Sequence, residues 1–131
     1  MFGSNRWGVM LGAMVVVVVG ASSRPAFAIK EFFDEFKAVY VKPDSADAND
    51  KALVAEVETA KCNVCHVGSS KKERNSYGNA LADLLDKKED KKNPEKIRQA
   101  LDTVAAMPSA DGAPTFGELL KQGKLPGAAA K

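Results

Sequence analysis

Five consecutive residues, Cys62-Asn63-Val64-Cys65-His66, hold both cysteines and the only histidine of this 131-residue chain. Any fold it adopts must therefore gather two thiols and an imidazole within about one helical turn. As a structural staple the pair is poorly placed. A disulfide between Cys62 and Cys65 would close a very small loop and restrain the unfolded chain little.

Three chemistries use thiols at this spacing. A structural zinc site takes four protein ligands. The thiols and imidazole here make three, so a carboxylate would have to complete the set, and the neighbours Cys65 and His66 would have to share one ion. Dithiol–disulfide exchange suits the spacing but is usually carried on a strand-containing βαβ scaffold, and no stretch beyond residue 28 alternates apolar and polar side chains over a strand's length. The third is covalent attachment of haem c, for which C-x-x-C-H is the signature. Each sulfur adds across one vinyl group of the porphyrin. Two intervening residues on a helical turn let both sulfurs reach neighbouring pyrroles, and the next residue, His66, lies under the iron. The expected cofactor is one covalent haem c with its iron, held by Cys62, Cys65 and His66.

The chain opens MFGSNRWGVMLGAMVVVVVGASSRPAFA. Arg6 supplies a basic start, Val9 to Gly20 an apolar run, and Ala26-Phe27-Ala28 the small residues a signal peptidase reads. The apolar run is broken by Ser22, Ser23, Arg24 and Pro25, short of the roughly 20 residues a spanning helix needs. Residues 1–28 are expected to be a signal peptide cleaved after Ala28, and the protein to be periplasmic or otherwise exported. Bacterial haem c is attached outside the cytoplasm, so this segment and the CNVCH motif support each other.

With the leader go Arg6 and Arg24 and no acid, which leaves 17 basic and 17 acidic groups. That neutral balance removes any charge argument for nucleic-acid binding. It is unevenly spread: residues 29–58 carry four basic and eight acidic groups, residues 71–98 nine and six. Solvated helix faces account for such a bias; a basic rim near CNVCH that orients an acidic partner also would.

The remaining chain reads as helical. Ile29, Phe32, Phe33, Phe36 and Tyr40 recur at three- and four-residue steps. Leu53, Val57, Ala60 and Val64 form a second set that runs into CNVCH, and VGSSKKERNS is expected to be a polar loop. Tyr77, Leu81, Leu84 and Leu85 mark a third helix, capped by Asn75 or Ser76. Asn93-Pro94 opens a fourth, with Ile97, Leu101 and Val104 on its face and its end near Met107, because Pro108 disfavours helix in the residue before it. Thr115-Phe116-Gly117-Glu118 fits a capping box, and residues 123–131 read as a frayed tail.

Residues 50–122 resemble a class I c-type cytochrome of the bacterial, exported kind. A helix runs into CNVCH, further helices follow, and a methionine stands in a Pro-rich loop before a last short helix. The resemblance implies an all-α fold wrapped around one haem and a role as electron carrier. The chain departs from the family in two ways. Glu58 stands where an aromatic often precedes the first cysteine, and no proline lies between His66 and Pro94 to accept from the imidazole. Residues 29–49, a helix and linker, have no counterpart in that pattern.

Met107 is the only methionine after residue 28. With no second histidine, its thioether is the expected sixth iron ligand and would raise the reduction potential relative to two nitrogens. The bland alternative is a gap-filling core residue. Leu81, Leu84, Leu85, Leu101 and Phe116 are candidates for the haem wall or for plain helix packing. Phe32, Phe33 and Phe36 are expected in the core, with a docking face as the alternative. The leading expectation is a non-enzymatic, monomeric one-electron carrier that meets redox protein partners, binds no nucleic acid and is at most peripheral to a membrane. The alternative is a haem c sensor or peroxidase-like enzyme with an open sixth position.

Overall fold

A computed structural model describes residues 29–127. The signal peptide expected over 1–28 lies outside them, as do residues 128–131. The described chain is mostly helical, with one small two-stranded sheet. No helix among the described residues is long and apolar enough to cross a membrane.

The first helix, α1 (Lys30–Tyr40), places Phe36 in the core and leaves Phe32 and Phe33 half-buried beside it. Its outer face carries Asp34 between Lys30 and Lys37, paired with both. Two long-range contacts tie it to α4 (Pro94–Ala105). Arg98 Nε donates to Glu35 at 2.7 Å, and the Tyr40 hydroxyl donates to the Leu101 carbonyl at 3.1 Å. The residues left unassigned by the family pattern are thus packed against the same core as the rest.

Helix α2 (Ala48–Ala60) is capped by the Asp47 carboxylate, which accepts from the amides of Asn49 and Asp50, and buries Leu53 and Val57. A 3₁₀ turn (Lys61–Val64) continues from it. Between the two, Lys61 adopts φ 50°, ψ −116°, a region that strains any side chain bearing a Cβ. The strain redirects the chain at the residue before Cys62.

Here the structure corrects the sequence reading. His66–Val67 (β1) and Glu73–Arg74 (β2) pair antiparallel, His66 opposite Arg74 and Val67 opposite Glu73, where a polar loop was expected. Two-residue strands are too short to show a period of two. Positive φ at Gly68 (75°) and Lys71 (54°) turns the connection.

Helix α3 (Ser76–Leu84) starts from Asn75, whose side chain accepts from the Gly78 amide, and buries Tyr77 and Leu81. Helix α4 starts from Asn93 with Pro94 in its first turn and buries Ile97, Leu101 and Val104. Helix α5 (Phe116–Lys121) carries the full capping box between Thr115 and Glu118. Both expected starts are present. Within the tail expected over 123–131, Pro126 is buried and Leu125 packs on the core; the rest of that expectation, residues 128–131, lies outside the described residues. Tyr77 lies at the centre, meeting Phe36 and Phe116 edge-on at ring distances of 5.9 and 5.2 Å.

Candidate functional site

Both thiols and the imidazole border one cleft between α1, α3, α4 and the CNVCH segment. The cleft is open to solvent and its cavity volume is about 90 Å³. Its wall is apolar: Phe32, Phe33 and Phe36 from α1, Leu81 and Leu85 from the α3 side, Ile97 and Leu101 from α4. An apolar wall excludes water and strengthens whatever electrostatic interaction is made inside.

The CNVCH segment is held from three sides. The Cys65 amide donates to the Cys62 carbonyl at 3.3 Å, closing the 3₁₀ turn. The Asn75 amide donates to the Cys65 carbonyl at 3.0 Å, and the Asn75 side chain donates to the Val64 carbonyl at 2.9 Å while accepting from Gly78 at 2.9 Å. One residue therefore caps α3 and pins the motif to it. Gly78 completes the fit, because a Cβ built there would collide with the Cys65 carbonyl oxygen.

His66 is 8% exposed, and its Nδ1 lies 3.2 Å from the Glu73 carbonyl across the hairpin. A carbonyl only accepts, so Nδ1 carries the proton and donates, and Nε2 keeps its lone pair. The acceptor is a backbone carbonyl of β2. Burial lowers the His66 pKa, outweighing the stabilising effect of that carbonyl on the imidazolium, so the ring is held in its neutral, metal-binding form. Burial also pushes the Cys65 thiol up to about 12. A thiol held protonated is a poor attacking group for disulfide exchange. Cys62 and Cys65 are not joined to each other.

The other predicted residues divide. Leu81, Leu85 and Leu101 line the cleft, whereas Leu84 is 37% exposed and Phe116 packs on Tyr77. Met107 does not border the cleft. It is half-buried against the core just beyond α4, its amide donating to the Val104 carbonyl at 2.9 Å and its carbonyl accepting from the Phe116 amide at 3.0 Å. Sequence reasoning missed Arg74, Gly78, Ala82, Lys87 and Ile29 as cleft residues. Gly78 alone gave a signal: a glycine one turn into a well-formed helix marks close approach.

The donor set suits a porphyrin better than a bare ion. No three His, Cys, Asp or Glu side chains are gathered as metal ligands among the described residues, but a haem asks only one ligand of the chain on this side, and His66 Nε2 is available. Cys62 and Cys65 would form the thioethers, and the apolar wall would cover the ring. What fold and site define together is a small helical domain with a thiol–imidazole cleft. Compared with protein-family models, with curated proteins and with solved structures, the chain matches none.

Proposed function

We propose that this chain is an exported monohaem c-type cytochrome that carries single electrons between protein partners. One observation carries the reading: both thiols and the sole imidazole border one apolar cleft, with the imidazole Nδ1 engaged on the Glu73 carbonyl. Haem c would supply the one-electron redox chemistry, and the chain's residues set its conditions. Cys62 and Cys65 would anchor it, His66 would ligate the iron, and the Glu73 carbonyl, by drawing on the Nδ1 proton, would make His66 a stronger donor. The aliphatic and aromatic wall disfavours the additional positive charge of ferric iron.

In this reading Met107 provides the sixth ligand. Because Met107 does not border the cleft, its thioether would have to be brought there by a shift of the segment after α4. A second reading, an open sixth position that binds small molecules or peroxide, is favoured by Met107 not bordering the cleft.

The test is expression with a c-type maturation system, followed by visible spectra of both oxidation states. Haem that survives acid–acetone extraction is expected; a colourless exported protein with alkylatable thiols would end the proposal. A weak far-red band in the oxidised form, lost in Met107→Ala, is the electron-carrier outcome. Carbon monoxide binding to the reduced wild type is the open-site outcome.

A further inference from the structure

The cleft bordered by Cys62, Cys65 and His66 has a cavity volume of about 90 Å³. Pockets that bury a cofactor-sized ligand hold roughly 300 Å³ or more. To be buried there, an occupant of that size has to displace a wall, and the walls are not equally held. The CNVCH segment is pinned by Asn75 and fitted against Gly78. On α4, Ile97 and Leu101 are buried, and Asn93 caps the helix by accepting from the Lys96 amide at 3.1 Å. The loop that carries Lys87 is closed by Asp86, whose carboxylate accepts from the amides of Lys88 and Glu89 at 2.7 and 3.0 Å.

The wall from α1 is divided. Its second half is tied down: Glu35 accepts from Arg98, Phe36 meets Tyr77 in the core, and the Tyr40 hydroxyl donates to the Leu101 carbonyl. Its first half, residues 29–34, makes no hydrogen bond or ion pair to another element among the described residues. Ile29 stands at the N-cap and has no side-chain oxygen to offer the first-turn amides. Phe32 and Phe33 are half-buried, and the stacking partner of Phe33 is Phe36 of the same helix, at 6.5 Å. Ile29, Phe32 and Phe33 all line the cleft. Local opening takes the segment with the fewest ties.

We propose that residues 29–34 form a gate, hinged at Glu35, whose outward movement carries Phe32 and Phe33 off the cleft and admits haem to Cys62, Cys65 and His66. The proposal deepens the function above and rests on it for the occupant, but the gate itself can be read without haem.

The test uses the exported chain made without haem maturation and kept reduced. Iodoacetamide is the probe, and alkylation of Cys62 and Cys65 is followed by peptide mass. Two glycine substitutions are compared at exposed α1 positions that do not line the cleft, Glu31→Gly in the first half and Ala38→Gly in the second. Both weaken the helix by similar amounts. Glu31→Gly is expected to speed alkylation roughly threefold to fivefold, the factor its helix penalty gives. Ala38→Gly is expected to leave the rate near that of the wild type, because Glu35, Phe36 and Tyr40 hold that half in place. The faster rate should depend little on low urea, since opening one short segment exposes little surface. Equal acceleration in both variants, or a steep urea dependence, would overturn the gate by showing that the thiols are reached through global unfolding. No acceleration in either would also overturn it, because the cleft would then be reached with α1 in place. A chain that shows the gate but stays colourless in a c-type maturation system would overturn haem as the occupant, and with it the proposed function alone.

Discussion

His66 and Glu73 are joined side chain to backbone: the imidazole Nδ1 donates to the Glu73 carbonyl at 3.2 Å across a hairpin of two-residue strands. The contact sets the ring's tautomer and leaves the lone pair on Nε2. Nitrogen NMR of the reduced, exported protein is therefore expected to show His66 protonated at Nδ1 alone, with that proton exchanging slowly. Fast exchange would mean that the hairpin does not hold the ring.

Gly78 lets α3 approach the motif, since any Cβ there meets the Cys65 carbonyl. The obstacle is backbone, which cannot swing aside as a side chain can. Gly78→Ala is expected to lower stability by about 1–3 kcal/mol, seen as a lower urea midpoint at unchanged slope.

The Tyr77 hydroxyl is buried without a hydrogen-bond partner among the described residues, in a residue with no exposed surface. Burial raises its pKa, so it stays neutral. Leaving such a group unpaired costs about 1–3 kcal/mol. Tyr77→Phe keeps both edge-on ring contacts and removes the orphan, so it is expected to raise the unfolding midpoint. A lower midpoint would show that the hydroxyl has a partner in the assembled protein.

Asp90 is buried and accepts from the Asp86 amide at 2.7 Å and from Lys96 Nζ at 2.9 Å. The Lys96 hydrogen bond, with the Asp86 amide, holds its carboxyl below the usual range. The folded protein thus prefers the ionised form. The resulting stability is present above the unfolded carboxylate pKa of about 4 and is lost as pH falls through the folded value. Thermal melts of wild type and Asp90→Asn should differ most at neutral pH and converge in acid. A difference that does not change with pH would show the effect is steric.

Short-range patterns proved informative where a single residue settles the matter. Asn93 with Pro94, Asn75, and Thr115 with Glu118 are caps whose donors and acceptors lie within three residues of each other. Leu84 and Leu85 show the limit. Both fit the α3 pattern, but the helix ends between them, and one is 37% and the other 8% exposed. A one-residue difference in where a helix stops rotates a side chain out of the core, and periodicity does not resolve boundaries that finely.

The CNVCH motif and the helical periods are local, so the sequence alone decided that two thiols and an imidazole fall within five residues and that the chain is mostly helical. Tertiary packing decided the rest. It brought Phe32 and Phe33 of α1, 29 or more residues upstream of Cys62, to the same cleft, supplied the Glu73 carbonyl to His66, and made Arg74 and Lys87 part of the lining. It also left Met107 off that cleft. These relations depend on how α1 lies against α4 and on a hairpin closed by the backbone, and contacts between residues far apart in sequence leave no spacing to read.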